Sequence, residues 1–295
     1  MVRRVALGCL TIFAVAALAM AQEGAAPTDE PTWLLLERGR FAFSNREYGE
    51  ALRLYREAKA GNSTSPEIDI AIGEVFEAEG ELDLALLQYE KALEYRNLLE
   101  VRDDELELLY RMAALHRLNN NLLNYKQHLE LVVDRVQSRH EPPLFQIEEA
   151  IGRVLIRDGI DALLQLYRIE DLGAQRAYYE LGRLLLYDGF RFIEASNMLV
   201  FSVIMTITEV ASYILDVDPS FRFDKIEELL SSASRFRAVE RYLLETQLLE
   251  QLYALGHALA AAGRPGPSDG LRNLINRIDS EGAVGRRAGR PYPEL

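Results

Sequence analysis

Cysteine is all but missing from this chain: Cys9 is the only one among 295 residues. A disulfide framework and a cysteine-ligated metal site are thereby excluded, and a thiol nucleophile goes too once the segment carrying Cys9 is removed. Positive charge is short as well. Asp and Glu number 46 against 33 Lys and Arg, for a formal net charge of −13. That sign argues against general binding to nucleic acid or to an anionic membrane. Lysine is confined to Lys59, Lys91, Lys126 and Lys225, so the basic residues are almost all arginine, a bias that codon composition explains. Catalytic motifs are also lacking. The four histidines, His116, His128, His140 and His257, show no metal-binding spacing, and none lies near a serine in a nucleophile-elbow context. No phosphate-binding loop occurs, and no glycine-rich fingerprint opens a helix after a strand. The chain therefore reads as a non-enzyme with no cofactor and no metal.

What is present favours helices. Tryptophan occurs once, β-branched residues are sparse outside residues 200–214, and Leu, Ala, Glu and Arg dominate, which are good helix formers. Apolar residues make up 49%, enough for a sizeable core. Residues 1–21 stand apart. Arg3 and Arg4 precede an apolar run over residues 5–18, and Ala19-Met20-Ala21 ends it with small residues. This is the layout of a secretory signal peptide cleaved before Gln22. The run is shorter than the roughly 20 residues needed to cross a bilayer, although retention as an uncleaved anchor is the alternative. Lipid attachment at Cys9 would leave almost no apolar segment ahead of it. Residues 1–21 hold two arginines and no acid, so without them the net charge becomes −15.

Internal repetition sets the fold. Gly39, Glu47, Ala51, Leu52, Tyr55 and Ala58 match Gly73, Glu81, Ala85, Leu86, Tyr89 and Ala92, each at an offset of 34 residues. A small residue in a first helix, followed by Ala-x-x-x-Tyr-x-x-Ala in a second, resembles the tetratricopeptide repeat at that period. The resemblance is strongest over residues 31–96. A second trace runs farther: Gly73/Gly80, Gly152/Gly159, Gly182/Gly189 and Gly256/Gly263 are each seven apart, the first placed at a helix contact and the second at a turn. Leu109, Met112, Ala113, Leu122, Tyr125, Leu129 and Val132 fit a degenerate repeat turning at Asn119-Asn120-Asn121. The expected fold is all-α, a right-handed superhelix of tetratricopeptide-like hairpins at 31–60, 66–96, 103–138, 143–171 and 174–215. A linker over 22–30 precedes this array, which spans 31–215. An irregular helical part follows at 216–280, with its last hairpin interrupted at Arg264-Pro265-Gly266-Pro267, and a Gly/Arg/Pro-rich disordered tail covers 281–295. The apolar run over residues 198–207 is interrupted by Thr206, Thr208 and Glu209, which favours a buried central helix over a membrane span.

In tetratricopeptide arrays the first helix of each hairpin lines a concave groove. The resemblance implies groove-facing positions six and three before the small residue, and one, four and five after it. Around Gly73 these are Glu67, Ile70, Glu74, Glu77 and Ala78. Around Gly152 they include Glu149, Arg153, Ile156 and Arg157, and around Gly182 they are Arg176, Tyr179, Arg183, Leu186 and Tyr187. Arg153, Arg157, Arg176, Tyr179, Arg183 and Tyr187 thus form a candidate partner-binding patch, since Arg and Tyr are common interface anchors. A solvated groove edge explains the same residues, arginine being abundant throughout. Some family members grip a terminal carboxylate with Lys and Asn in the first repeat, but the matching positions here are Leu36 and Arg40. Asp216, Asp218, Ser220, Asp224 and Glu227 follow the spacing of a calcium loop, yet Phe221 occupies the place where glycine makes the bend, and Pro219 stiffens the segment. The expected function is an exported, periplasmic protein–protein interaction scaffold, binding an acidic or carboxylate-bearing segment of another protein, with no nucleic acid and no stable membrane insertion after signal cleavage. An accessory partner of a periplasmic solute-binding protein in transport is the alternative, and an enzyme is the third reading.

Overall fold

The computed structural model describes residues 30–293. The expected signal peptide, its cleavage point and the linker up to residue 29 lie outside the described residues. Fourteen α-helices and one 3-10 turn at Arg96–Leu98 make up the regular structure among the described residues, with no strand, as an all-α chain requires. They form two compact units divided after Glu100, whereas the sequence reading kept 31–215 as one array.

The first unit is two helical hairpins. α1 (Thr32–Ser44) packs on α2 (Tyr48–Gly61), and α3 (Pro66–Glu79) packs on α4 (Leu82–Glu94). Ala51, Ala58, Ala85 and Ala92 are all fully buried, because only a methyl group fits between backbones this close. Tyr55 fills the space over Gly39 and Tyr89 fills that over Gly73. A Cβ at these glycines would lie 2.3 Å and 2.4 Å from the respective ring Cε1 atoms, so glycine is required there by space. The Tyr89 hydroxyl donates to Glu77 at 2.7 Å. Between the hairpins, Lys59 on α2 donates to the buried Asp69 on α3 at 2.6 Å.

The second unit holds three more hairpins. α5 (Asp104–Leu118) packs on α6 (Leu122–Gln137), α8 (Gln175–Tyr187) on α9 (Phe192–Val217), and α12 (Leu248–Ala261) on α13 (Pro265–Ile278). Between them lie α7 (Leu144–Leu166), α10 (Ile226–Ala233) and α11 (Arg237–Glu245), and α14 (Ala283–Ala288) follows. α9 is central, touching α7, α8, α10, α11 and α12. It is long and apolar enough to cross a membrane by length and composition, yet 72% of its apolar window is buried within the protein. Its polar groups are also used internally. Ser202 accepts from Gln175 Nε2 at 3.0 Å and donates to Gln251 Oε1 at 3.0 Å, which ties α9 to α8 and α12 through a fully paired polar chain.

Each hairpin turn places one residue at positive φ: Arg46 (64°), Gly80 (81°), Asn120 (55°), Phe190 (51°) and Gly263 (73°). After four of them the next amide donates five residues back, from Glu47 to Ala42, Glu81 to Phe76, Asn121 to His116 and Arg264 to Leu259, all at 2.8–2.9 Å. These bonds satisfy carbonyls that a helix end leaves over. Gly189 was the expected turn residue before α9, but its neighbour Phe190 takes the left-handed conformation. The α8 helix runs one residue further there, with both Asp188 and Gly189 donating to Leu184, and the turn closes from Arg191 to Leu185 at 2.9 Å.

Three expectations need correction. The segment 143–171 falls short of a full hairpin. Gly159, at φ 85°, divides α7 into two helical stretches at the expected turn, but the second ends at Leu166 and the chain then runs without helix to α8. Side chains capture that stretch edge-on: Ile169 N–H donates to Thr208 Oγ1 at 3.1 Å, and Asp171 N–H to Glu209 Oε1 at 3.2 Å. A Cβ on Gly152 would meet nothing within 4 Å, so no side chain seats on this glycine as one does on Gly39 and Gly73. Second, Pro265 does not interrupt the last hairpin but opens α13, where its missing N–H removes no helical bond. Third, residues 281–293 are not a loose tail. They contain α14 and then bring Tyr292 against Gly256, an aromatic anchor that the Gly/Arg/Pro composition conceals.

Candidate protein-binding face

α8 turns Ala177, Tyr178, Leu181 and Leu185 into the core and leaves Arg176, Arg183 and Tyr187 on its accessible side. The guanidinium of Arg183 lies 5.6 Å from the centre of the Tyr179 ring and 3.8 Å from Glu180. Arg176 lies 5.3 Å over Tyr110 on α5. That tyrosine is itself fixed, since its hydroxyl donates to the Gly173 carbonyl at 2.8 Å and accepts from Ala177 N–H at 3.1 Å. The start of α8 is held by Asp171, whose carboxylate accepts from the amides of Gly173, Ala174 and Gln175 at 2.8–3.0 Å. Ring contacts of this kind order a guanidinium before any ligand arrives.

Tyr179 belongs to the candidate patch by sequence but is only 6% exposed. It supports Arg183 rather than offering its own face, and burial pushes its hydroxyl pKa up to about 12. Tyr187 is 36% exposed, and burial of its remainder also raises its pKa. Arg153 and Arg157 do not join this group through their ion pairs. They sit on α7 and pair with its own acids, Arg153 with Glu149 at 2.7 Å and Arg157 with Asp158 at 2.6 Å. Arg157 instead edges a recess shared with Gly266, Gly270 and Arg277 of α13. Exposed pairs of this sort are worth about 0–1 kcal/mol, so their arginines exchange partners readily.

A neighbouring cluster escaped the sequence reading. The Tyr187 ring lies 5.7 Å from His257 on α12, and His257 stacks on Tyr292 with centroids 5.0 Å apart and planes at 5°. Tyr253 meets Tyr292 at 5.0 Å, while Arg287 covers Tyr253 at 4.7 Å and pairs with Glu250. His257 Nε2 donates to the Pro293 carbonyl at 3.0 Å. One sequence signal did exist. Sixteen residues after Gly39 and Gly73 comes a tyrosine, whereas sixteen after Gly256 comes Arg272, so that glycine lacks the aromatic its hairpin should supply.

Elsewhere the polar residues serve packing. The buried His116 lies 4.9 Å from His128. In the segment with calcium-loop spacing, Asp218 accepts from Ser220, and Glu227 takes Arg277 at 2.6 Å. Among the described residues no group of three His, Cys, Asp or Glu side chains is placed to hold a metal.

No family model matches the chain. It is similar to an uncharacterized protein of Treponema pallidum (strain Nichols), 27% identical over 172 residues, which are 56% of this chain and 44% of that protein's length. An uncharacterized protein of Borreliella burgdorferi (strain ATCC 35210) is 20% identical over 256 residues, 78% of this chain and 79% of the relative. Among solved structures, YrrB, described as a TPR protein with an unusual peptide-binding site, aligns with 92% of this chain and 96% of its own at 12% identity and a TM-score of 0.45. MamA aligns with 90% and 97% at 11% identity and a TM-score of 0.42. The 34-residue period, the paired helices with their left-handed turns and the glycine seats filled by tyrosine in the first unit give this chain a fold of tetratricopeptide-like helical hairpins.

Proposed function

We propose that the chain is an exported interaction scaffold of the bacterial envelope, holding an acidic or carboxylate-bearing segment of another protein on the accessible side of α8. In this reading residues 1–21 direct export to the periplasm and are removed before Gln22. The observation that carries the binding site is the ring-supported pair Arg176 and Arg183, over Tyr110 and Tyr179 respectively. Seven residues separate them, two helical turns, so both address one ligand. Preordered guanidinium groups lose little freedom on binding a carboxylate and grip it with two parallel hydrogen bonds. Tyr187 adds apolar area at the next turn.

The test is fluorescence anisotropy with labelled Glu-rich peptides and matched Gln-rich controls. The Glu-rich peptides should bind wild type and weaken with added salt, as expected for partly exposed charges. Replacing Arg176 and Arg183 together with Ala should weaken them about tenfold, the loss of one charge-assisted contact or more, with an unchanged circular dichroism spectrum. Tyr179 stays in place because it is part of the packing. Equal binding of the Gln-rich control, or full binding by the double variant, would reduce the α8 arginines to a solvated surface.

A further inference from the structure

Three of the hairpin glycines, Gly39, Gly73 and Gly256, carry a tyrosine, whereas Gly182 carries Leu199 of its own hairpin, and the source of the tyrosine differs. Over Gly39 and Gly73 the ring comes from the second helix of the same hairpin, as Tyr55 and Tyr89. In α12/α13 the corresponding position is Arg272, and the seat over Gly256 is filled from outside the hairpin by Tyr292. A Cβ on Gly256 would lie 2.0 Å from the Tyr292 hydroxyl oxygen, so the phenol reaches the bare backbone of α12. Around it, His257 stacks on one face, Tyr253 meets it obliquely, and Arg272 lies 5.9 Å from the ring centre. The backbone is read as well, through His257 Nε2 donating to the Pro293 carbonyl at 3.0 Å. Pro291 and Pro293 flank the tyrosine, and prolines hold a segment extended at low entropic cost.

The geometry points to a peptide site: we propose that the seat over Gly256 binds an extended segment of another protein carrying tyrosine followed by proline, and that residues 290–293 occupy it in cis. The in-cis segment defines the ligand chemistry, namely a phenol for the glycine gap, a ring to stack on His257, and a carbonyl one residue later for Nε2. A tyrosine on α13 could not leave without opening the hairpin. One on a short segment after α14 can be displaced while α12 and α13 stay packed. The site is separate from the α8 arginines, and a partner segment competes with the chain's own.

The experiment uses the full chain and a labelled, amidated pentapeptide with the sequence of residues 289–293, Gly-Arg-Pro-Tyr-Pro. The Tyr292→Ala chain should bind it saturably, and wild type at least about tenfold more weakly, because a filled seat lowers apparent affinity by the fraction left open. Adding Gly256→Ala to Tyr292→Ala should abolish binding. With the phenol gone, the new methyl meets Leu271 Cβ at 3.5 Å, an ordinary contact, so the circular dichroism spectrum should be kept. A pentapeptide with alanine for tyrosine should not bind, and Arg176→Ala with Arg183→Ala should leave binding unchanged, which separates this site from the α8 reading. Equal binding to wild type and Tyr292→Ala, survival of binding after Gly256→Ala, or no binding to a folded Tyr292→Ala chain would overturn the proposal. Wild-type dimers that exchange Tyr292 between copies would overturn it too, by assigning the seat to a second copy. If Tyr292→Ala does not fold, photolabelling of wild type with benzoylphenylalanine in place of the peptide tyrosine decides: label on α12 or α13 supports the site, and its absence there refutes it.

Discussion

One chemical change at two helical glycines should have opposite signs. Gly73 and Gly152 occupy equivalent places in the spacing pattern, each seven residues before a turn glycine. Replacing a glycine inside a helix by alanine gains roughly 1 kcal/mol, chiefly because the unfolded chain loses freedom. At Gly152 the added methyl meets nothing within 4 Å, so Gly152→Ala should stabilise by about 0.5–1 kcal/mol. At Gly73 the methyl would lie 2.4 Å from Tyr89 Cε1 and 2.7 Å from Cδ1. The ring cannot swing aside, being fully buried and tied to Glu77 by its hydroxyl. Overpacking of this kind costs about 1–3 kcal/mol, and two contacts far inside normal range place Gly73→Ala toward the upper end. Set against the helical gain, the net loss is about 1–2 kcal/mol. Urea unfolding followed by far-ultraviolet circular dichroism resolves this, with each variant read on the transition of its own unit. In a Tyr89→Leu background the Gly73→Ala change should turn neutral or stabilising, since the ring it strikes is gone. If Gly73→Ala stabilises as much as Gly152→Ala, or if its effect is the same with and without Tyr89, the glycine–tyrosine seat is not what holds the hairpin together.

Ala85 is fully buried and Glu79 is exposed, so Ala85→Leu should cost roughly 1–3 kcal/mol and lower the melting temperature, while Glu79→Leu should leave it nearly unchanged. Burial holds His257 below the ordinary histidine pKa, with the Pro293 carbonyl opposing the shift. The folded state therefore resists a proton that the unfolded chain accepts near its ordinary value, and stability should fall as pH drops below about 6.5. Melting curves below that pH should show the fall, and His257→Gln should lessen it, burial of His140 keeping the remainder; a slope identical in the variant would remove His257 from the account. Purified from the envelope fraction of an expressing bacterium, the protein should begin at Gln22 on N-terminal sequencing and remain soluble without detergent. An intact Met1 or recovery only in detergent would contradict export with cleavage.

The hairpin was legible in the sequence because its determinants are local and repeated. Ala51, Tyr55 and Ala58 recur as Ala85, Tyr89 and Ala92, and all six are buried. Gly80 and Gly263 take the left-handed turn that their position demands, although Arg46 and Asn120 meet the same demand without glycine. The candidate patch was legible only in part. Spacing placed Arg176, Arg183 and Tyr187 on one helix side, but it could not show that Tyr179 lies buried beneath Arg183. Nor could it show that Arg153 and Arg157 pair within α7.

By itself the sequence determined the helical class, the paired helices at 31–60, 66–96, 103–138 and 174–215, and the glycine–tyrosine contacts of the first unit. Each of these rests on residues within about one repeat of one another, where periodicity is a sufficient guide. Tertiary structure decided what depends on distant partners. Thr208 and Glu209 on α9 take the amides of residues 169 and 171, where the sequence led us to expect the hairpin's second helix to continue beyond Leu166. Tyr292 reaches back 36 residues to Gly256 and turns an expected tail into a packed segment. No period encodes such a contact. It forms because Arg272 stands where the hairpin's own tyrosine would be, and packing the Tyr292 ring beside Gly256 and His257 removes apolar surface from water that the hairpin alone would leave exposed.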